Sequence, residues 1–146
     1  MAGKNNHISI GGAVVYKEGR SKRYYWLVAD KEGNWEIPKV TVRRGESSVR
    51  AVIRMTSEIV GMNARILEEV GRYSTVVLVN GKATPQRTYY YLLLLKSVTE
   101  IMGFEKYQWI DFKKASKAVE LKREKDALKS AEELIKKWEK EKKKIG

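Results

Sequence analysis

The sequence predicts an α/β sandwich, a mixed sheet held between helices and closed by a helix at the C-terminus. Three observations point there. Strand-like runs precede and follow one segment of clear helical period. The run Arg87–Lys96, RTYYYLLLLK, is apolar on both faces, as a strand at the middle of a sheet must be. From Lys113 the chain turns into a Lys/Glu-rich amphipathic stretch. A length of 146 residues suits one domain, too short for two sizeable cores. It divides into a strand-rich part, 1–112, and a basic helical segment, 113–146.

Taken in order, His7–Tyr16 reads as a strand whose paired Gly11 and Gly12 mark a close approach by a neighbour. Tyr24–Ala29 is a second strand, and the polar Lys31–Asn34 a turn. Trp35–Lys39 is short and extended because Pro38 forbids a helix through it. The period then changes. Val49, Val52, Ile53, Thr56, Ile59 and Val60 recur at three and four residues, predicting a helix over about 47–60. Ser47 can cap its start and Gly61 can end it in the left-handed conformation. Ile66–Val79, interrupted by Gly71, is two strands or one bulged strand. Asn80-Gly81 is a strong hairpin signal between it and Arg87–Lys96. Tyr107–Phe112 is a short strand or turn. In the last segment Ala115, Ala118, Leu121, Leu128, Ala131, Leu134, Ile135 and Trp138 form an apolar stripe, with an interruption expected near Lys122–Lys125 and fraying over Glu139–Gly146.

Composition excludes several chemistries. There is no cysteine, which removes disulfides, thiolate metal sites and cysteine nucleophiles. His7 is the single histidine, so a multi-histidine metal site is excluded. The longest apolar run, Tyr89–Leu95, is too short to span a bilayer, and the polar start lacks a signal peptide's apolar stretch. A cytoplasmic protein without a membrane partner is the expectation. Thirty Lys and Arg against eighteen Asp and Glu give a net charge of +12. Half of that excess lies from Lys113 onward, where thirteen basic residues face seven acidic ones. Such a surface favours polyanions, RNA or a ribonucleoprotein among them, through attraction that salt weakens. A solvated, solubilising surface would read the same way.

The segment WEIPKVTVRRGESSVRAVIRMTSEIVG, Trp35–Gly61, is the informative one. It resembles the signature of the Nudix hydrolases: a glycine, five residues, a glutamate, seven residues, Arg-Glu, an apolar residue, any residue, Glu-Glu, any residue and glycine. The box glutamate falls on Glu46, the arginine on Arg54, one paired glutamate on Glu58 and the closing glycine on Gly61, without a gap. Trp35, Pro38 and Lys39, the Gly45-Glu46-Ser47 turn and Trp109 are similar to the diadenosine tetraphosphate hydrolase branch. The resemblance covers about residues 8–138. It implies a Nudix-type α/β/α sandwich, a nucleoside or dinucleoside polyphosphate as substrate or ligand, and magnesium held by Glu58 and Glu46. Arg54 would orient the helix carboxylate.

The departures are as informative. Val40 stands at the opening glycine, Met55 at the glutamate after the arginine, Ile59 at the second paired glutamate and Arg43 at a further acid. Magnesium takes hard oxygen ligands, usually one or two carboxylates with phosphate oxygens and water. In an α-helix 55 and 59 stack on one face with 58 beside them. That face reads Met, Glu, Ile, and Arg43 and Arg44 would repel a cation. The expectation is magnesium binding weak or absent and hydrolysis weak or lost, with Glu58 at most helping to hold an ion carried by the phosphates. The alternative is a non-catalytic module that binds nucleotide or RNA, or docks a protein on the apolar box face. Lys39, Arg43 and Arg44, with Arg50, are candidates to bind a phosphate chain. Tyr89 and Tyr91, on one face of their strand, are candidates to stack on a base. Arg54 and Glu58 alone would pass for a helix-surface ion pair. Glu100 and Glu105, Glu36 and Glu68–Glu69 have no spacing that ties them to a metal site. The oligomeric state is open.

Overall fold

The computed structural model describes residues 7–98 and 100–145, with side chains through Lys143. Seven strands form one mixed sheet: β1 Ile8–Glu18, β2 Arg23–Ala29, β3 Trp35–Glu36, β4 Lys39–Thr41, β5 Met62–Val79, β6 Lys82–Val98 and β7 Tyr107–Ile110. The order is β3-β2-β1-β6-β5, with β4 also pairing β1 and β7 pairing β2. Only the β1–β6 ladder is parallel, from Ile8 opposite Gln86 to Tyr16 opposite Leu94. This puts Arg87–Lys96 between two strands, and Tyr90–Leu93 are buried on both faces as expected.

Each face carries a core. Ala13, Val15, Trp26, Tyr91 and Leu93 pack under the box helix, while Val14, Tyr16, Tyr25, Tyr90 and Leu92 pack under the C-terminal helices. The alternation along β1 and β6 is the period-two signature of a sheet covered on both sides. The result is the α/β/α sandwich predicted. Gly11 and Gly12 do what paired glycines suggest. A Cβ on Gly11 would lie 2.8 Å from Val52 of the box helix, and one on Gly12 would lie 2.5 Å from the Tyr90 ring. Pro38 divides the expected Trp35–Lys39 strand in two: β3 pairs with β2, and β4 crosses to pair with β1.

Helix α1 is Ser48–Ile53, capped by the Ser47 hydroxyl accepting from the Arg50 N–H. Here the structure departs from the expected continuous α-helix over 47–60. Arg54–Val60 is a wider π-helical turn ending at Gly61 with φ +85°. The hydroxyl of Thr56 donates to Val52 O at 3.0 Å and that of Ser57 to Ile53 O at 2.7 Å, competing for the carbonyls an α-helix would use.

Asn80 and Gly81 both have positive φ, +52° and +76°, forming the two-residue turn of the β5–β6 hairpin. Strand β5 is one strand with register shifts at Asn63/Ala64, Ile66/Glu68 and Glu69/Gly71. Gly71 lets the last helix approach, its absent Cβ facing that of Ala127 at 3.5 Å. Helices α2, Phe112–Ala118, and α3, Lys122–Ile145, break at 119–121, not within Lys122–Lys125. Val119 is buried there and bridges to Trp35, so the break follows a core contact; Leu121, expected on the stripe, is left exposed. Fraying over Glu139–Gly146 is not observed through Ile145: α3 continues, and Glu139 pairs with Arg23 at 2.8 Å. Gly146 lies outside the described residues. Ala131 and Ile135 bury the helix on the sheet, and Glu132 fixes it by accepting from Tyr25 at 2.7 Å and from both ends of the Arg23 fork.

Candidate functional site

The corner where β4 runs into α1 collects most of the residues singled out. The turn Arg43–Glu46 closes on itself: Glu46 N–H donates to Arg43 O at 3.0 Å, and Arg43 N–H donates to Glu46 Oε1 at 2.9 Å. Arg54 then clamps the turn to the helix. Its Nε donates to Glu46 Oε2 at 2.9 Å and its Nη2 to Glu46 Oε1 at 3.0 Å, with a further bond to Thr41 O at 3.1 Å. This is a bidentate arginine–carboxylate pair, the strong geometry for the two groups. Hydrogen bonds from Arg54, then from the Arg43 backbone, hold the Glu46 carboxyl down at about 2.

A pH dependence follows. With its folded-state pKa depressed, Glu46 contributes stability above the ordinary carboxylate range near pH 4, and the contribution is lost as pH falls from there toward about 2. Glu46→Gln should therefore melt below wild type at pH 7, and the gap in melting temperature should close by pH 2. Circular dichroism melts across that window check it; a gap that stays constant would show that the charge is not the cause.

Glu58 is exposed and, among the described residues, has no hydrogen-bond or ion-pair partner. Its two expected face-mates separate. Met55 is 2% exposed and packs into the core under the box helix, whereas Ile59 is 43% exposed against Gly103. The stacking of 55 over 59 expected of an α-helix is lost because the π-turn changes the step between residues and Met55 is drawn toward the sheet.

Magnesium fits this corner poorly. Both Glu46 oxygens are occupied by donors, Met55 presents no oxygen, and among the described residues no three Asp, Glu or His side chains gather as a metal set would. Arg43, Arg44 and Arg50 are exposed, and among the described residues none pairs with an acid. The loop and the first turn of α1 thus offer three cations and no free carboxylate.

The other candidates are committed elsewhere. Tyr91 is 7% exposed and shares a 2.5 Å hydrogen bond with Ser48 Oγ, tying β6 to the start of α1. Tyr89 is partly buried, with the Arg72 guanidinium 4.9 Å over its ring. Lys39 points to the opposite face of the sheet from the box helix. Its ammonium donates to Glu36 Oε1 and Ile37 O, each at 2.9 Å, and to Glu124 Oε2 at 2.6 Å.

Glu124 is the residue the sequence reading missed. It is fully buried, accepting also from Ile37 N–H at 2.9 Å and Tyr90 O–H at 2.8 Å. Burial beside this carboxylate raises the Tyr90 hydroxyl well above its ordinary value. A signal existed: Glu124 lies four before Leu128 and seven before Ala131, in phase with the buried stripe. Next to it, Arg123 lies 4.7 Å over the Tyr73 ring and lines two small hollows. One, of about 170 Å³, is bounded by Ile10, Lys39, Thr41 and Thr88; the other, of about 150 Å³, by Tyr73, Tyr90 and Asp126. A larger open hollow of about 560 Å³ between the β1–β2 turn and α3 shares no residue with the corner.

No family model and no curated protein matches the chain. Solved structures do. An Ap4A hydrolase of C. elegans in a binary complex is 20% identical, with a TM-score of 0.72 over 88% of this chain and 97% of that one. A protein of Listeria monocytogenes assigned as a NUDIX hydrolase is 12% identical, with a TM-score of 0.68 over 88% and 94%. The E. coli dihydroneopterin triphosphate pyrophosphohydrolase is 14% identical, with a TM-score of 0.65 over 82% and 91%.

The chain has the Nudix fold. A mixed sheet between helices, with a helix at the C-terminus, fits that fold. Arg54 and Glu58 lie on the π-turn that follows α1, Glu46 in the turn before α1, and Gly61 ends the helix. Among the described residues no helix is long and apolar enough to cross a membrane.

Proposed function

We propose that this protein is a member of the Nudix hydrolase family, close to the dinucleoside polyphosphate branch. It binds a nucleoside or dinucleoside polyphosphate at the Arg43–Arg50 corner and hydrolyses it weakly or not at all. The burial of Met55 is the observation that carries the reading. The box position where an acid is expected is built into the core, so the loss is structural and not a surface change. The remaining box pair, Glu46 and Arg54, serves to hold the loop; Glu58 is the box carboxylate left facing solvent. Three unpaired arginines can grip phosphates through paired hydrogen bonds without an ion.

Diadenosine tetraphosphate provides the test. Calorimetry should detect binding with or without magnesium, weakening with salt and with Arg43→Ala plus Arg44→Ala. Product formation should be orders of magnitude slower than for a Nudix hydrolase with an intact box. Robust magnesium-dependent turnover abolished by Glu58→Gln would overturn the loss of catalysis. Binding indifferent to both arginines would overturn the site.

A second reading, RNA binding through the basic C-terminal helices, draws on the exposed Lys113, Lys117, Lys136, Lys137 and Lys140. Removing 113–146 cannot test it, because Ala115, Leu128, Ala131 and Ile135 are core. Charge reversal at Lys137 and Lys140 leaves the core intact and should lower RNA affinity and its salt dependence together.

A further inference from the structure

The β5–β6 ribbon overhangs the rest of the sheet. Among the described residues β1 pairs with β6 as far out as Gln86, whereas β5 and β6 stay paired to Val79 and Lys82. On the overhang Tyr73, Val76, Leu78 and Val79 are 42%, 64%, 76% and 40% exposed. The two edges of this ribbon differ. In a two-residue hairpin Val79, Val77 and Thr75 exchange hydrogen bonds with β6, so Ser74, Val76 and Leu78 turn their N–H and C=O groups outward. β5 is the last strand of the sheet, and among the described residues nothing pairs with that edge. On β6 the outward positions are Ala83 and Pro85, and Pro85 has no N–H to offer. Proline is a recognised guard of an exposed edge.

No such guard protects β5. Its register shifts all lie at or before Gly71, so the overhang is regular. Tyr73–Gly81 carries no charge in a chain where 33% of residues are charged. A regular, apolar, uncharged edge is a template for another strand.

We propose that two copies of this chain pair along β5, antiparallel and centred on Val76, joining their sheets into one. The register follows from polarity and charge. Centred on Val76, the outward groups of Ser74, Val76 and Leu78 meet those of Leu78, Val76 and Ser74. Every residue from Tyr73 to Val79 then opposes an uncharged one, and Arg72 opposes Asn80. A chain of net charge +12 is repelled by its copy over most of its surface, and this neutral edge is where approach is opposed least. The pairing closes at two because each copy spends its β5 edge on the other. It is independent of the nucleotide reading.

Sedimentation and light scattering of the full chain, from micromolar to sub-millimolar concentration, test it. Wild type should show twice the chain mass. Val76→Lys, at an exposed position, should leave the circular dichroism spectrum unchanged while raising the dissociation midpoint at least tenfold and removing the rise of melting temperature with protein concentration. Ala83→Lys on the proline-guarded strand should remain dimeric. The absence of native cysteine permits a second test that does not depend on affinity. Facing Cα atoms in a hydrogen-bonded antiparallel pair lie about 5.5 Å apart, within reach of a disulfide. Val76→Cys treated with copper phenanthroline should therefore crosslink to a dimer well before Lys82→Cys does. A chain monomeric throughout, a dimer that survives Val76→Lys, open-ended aggregates, or crosslinking no faster at 76 than at 82 would each overturn the proposal. Monomeric behaviour would leave the edge to a strand from another protein.

Discussion

Glu124→Ala should lower the unfolding free energy by about 3–5 kcal/mol, the usual loss when one partner of a buried ion pair is removed. Glu124 is fully buried and takes three donors: the Lys39 ammonium at 2.6 Å, the Tyr90 hydroxyl at 2.8 Å and the Ile37 N–H at 2.9 Å. Truncation strands the Tyr90 and Ile37 donors and takes from Lys39 its buried partner. An unsatisfied buried donor costs about 1–3 kcal/mol, and the charge of Lys39, only 19% exposed, adds to it. These penalties are not additive, since Lys39 retains Glu36 and can turn toward solvent. Glu124→Gln, which keeps acceptors but not charge, should lose less. Urea unfolding of both variants measures it. Equal, small losses would show that Lys39 relaxes freely and that the network holds little.

Met55→Glu should cost about 3–5 kcal/mol, as an unpaired charge does in a core, while Ile59→Glu should cost little because Ile59 is 43% exposed. Placing glutamates at both positions should therefore not create a metal site. The first acid has to enter a space lined by Val52, Val60, Met62 and neighbouring strand residues. Its carboxyl would be held above the ordinary value of about 4.3. The penalty is small where both states are protonated and grows as pH rises through that value and the unfolded chain ionises. Stability of Met55→Glu relative to wild type, followed by denaturant unfolding from pH 4 to 7, should fall with pH. A double variant, Met55→Glu plus Ile59→Glu, that is stable at pH 7 and gains magnesium-dependent turnover would show that Met55 sits in a pocket able to open.

Much of this architecture was legible in the sequence because it rests on local rules. Gly11-Gly12 foretold the close approach of α1 and Tyr90; Asn80-Gly81 foretold the hairpin; the doubly apolar Arg87–Lys96 foretold a central strand. Ser47 and Gly61 bounded the box helix, but Arg54 pairs with Glu46 and not with the helix carboxylate it was expected to orient. What was not legible depends on competition for hydrogen-bond partners, most of it between residues distant in sequence. Whether Lys39 faces phosphate or core depends on Glu124, 85 residues away. Whether Met55 and Ile59 share a face depends on the hydroxyls of Thr56 and Ser57 claiming backbone carbonyls. Tyr91 reads as a base-stacking ring until Ser48 is seen against its hydroxyl.

By itself the sequence determined the order of the elements and the spacing of Glu46, Arg54, Glu58 and Gly61, since periodicity, turn chemistry and residue identity are properties of short stretches. The tertiary structure alone decided which charged groups are free. A buried carboxylate or an arginine fork is set by which strands and helices are packed together, and that assignment is made across the whole chain.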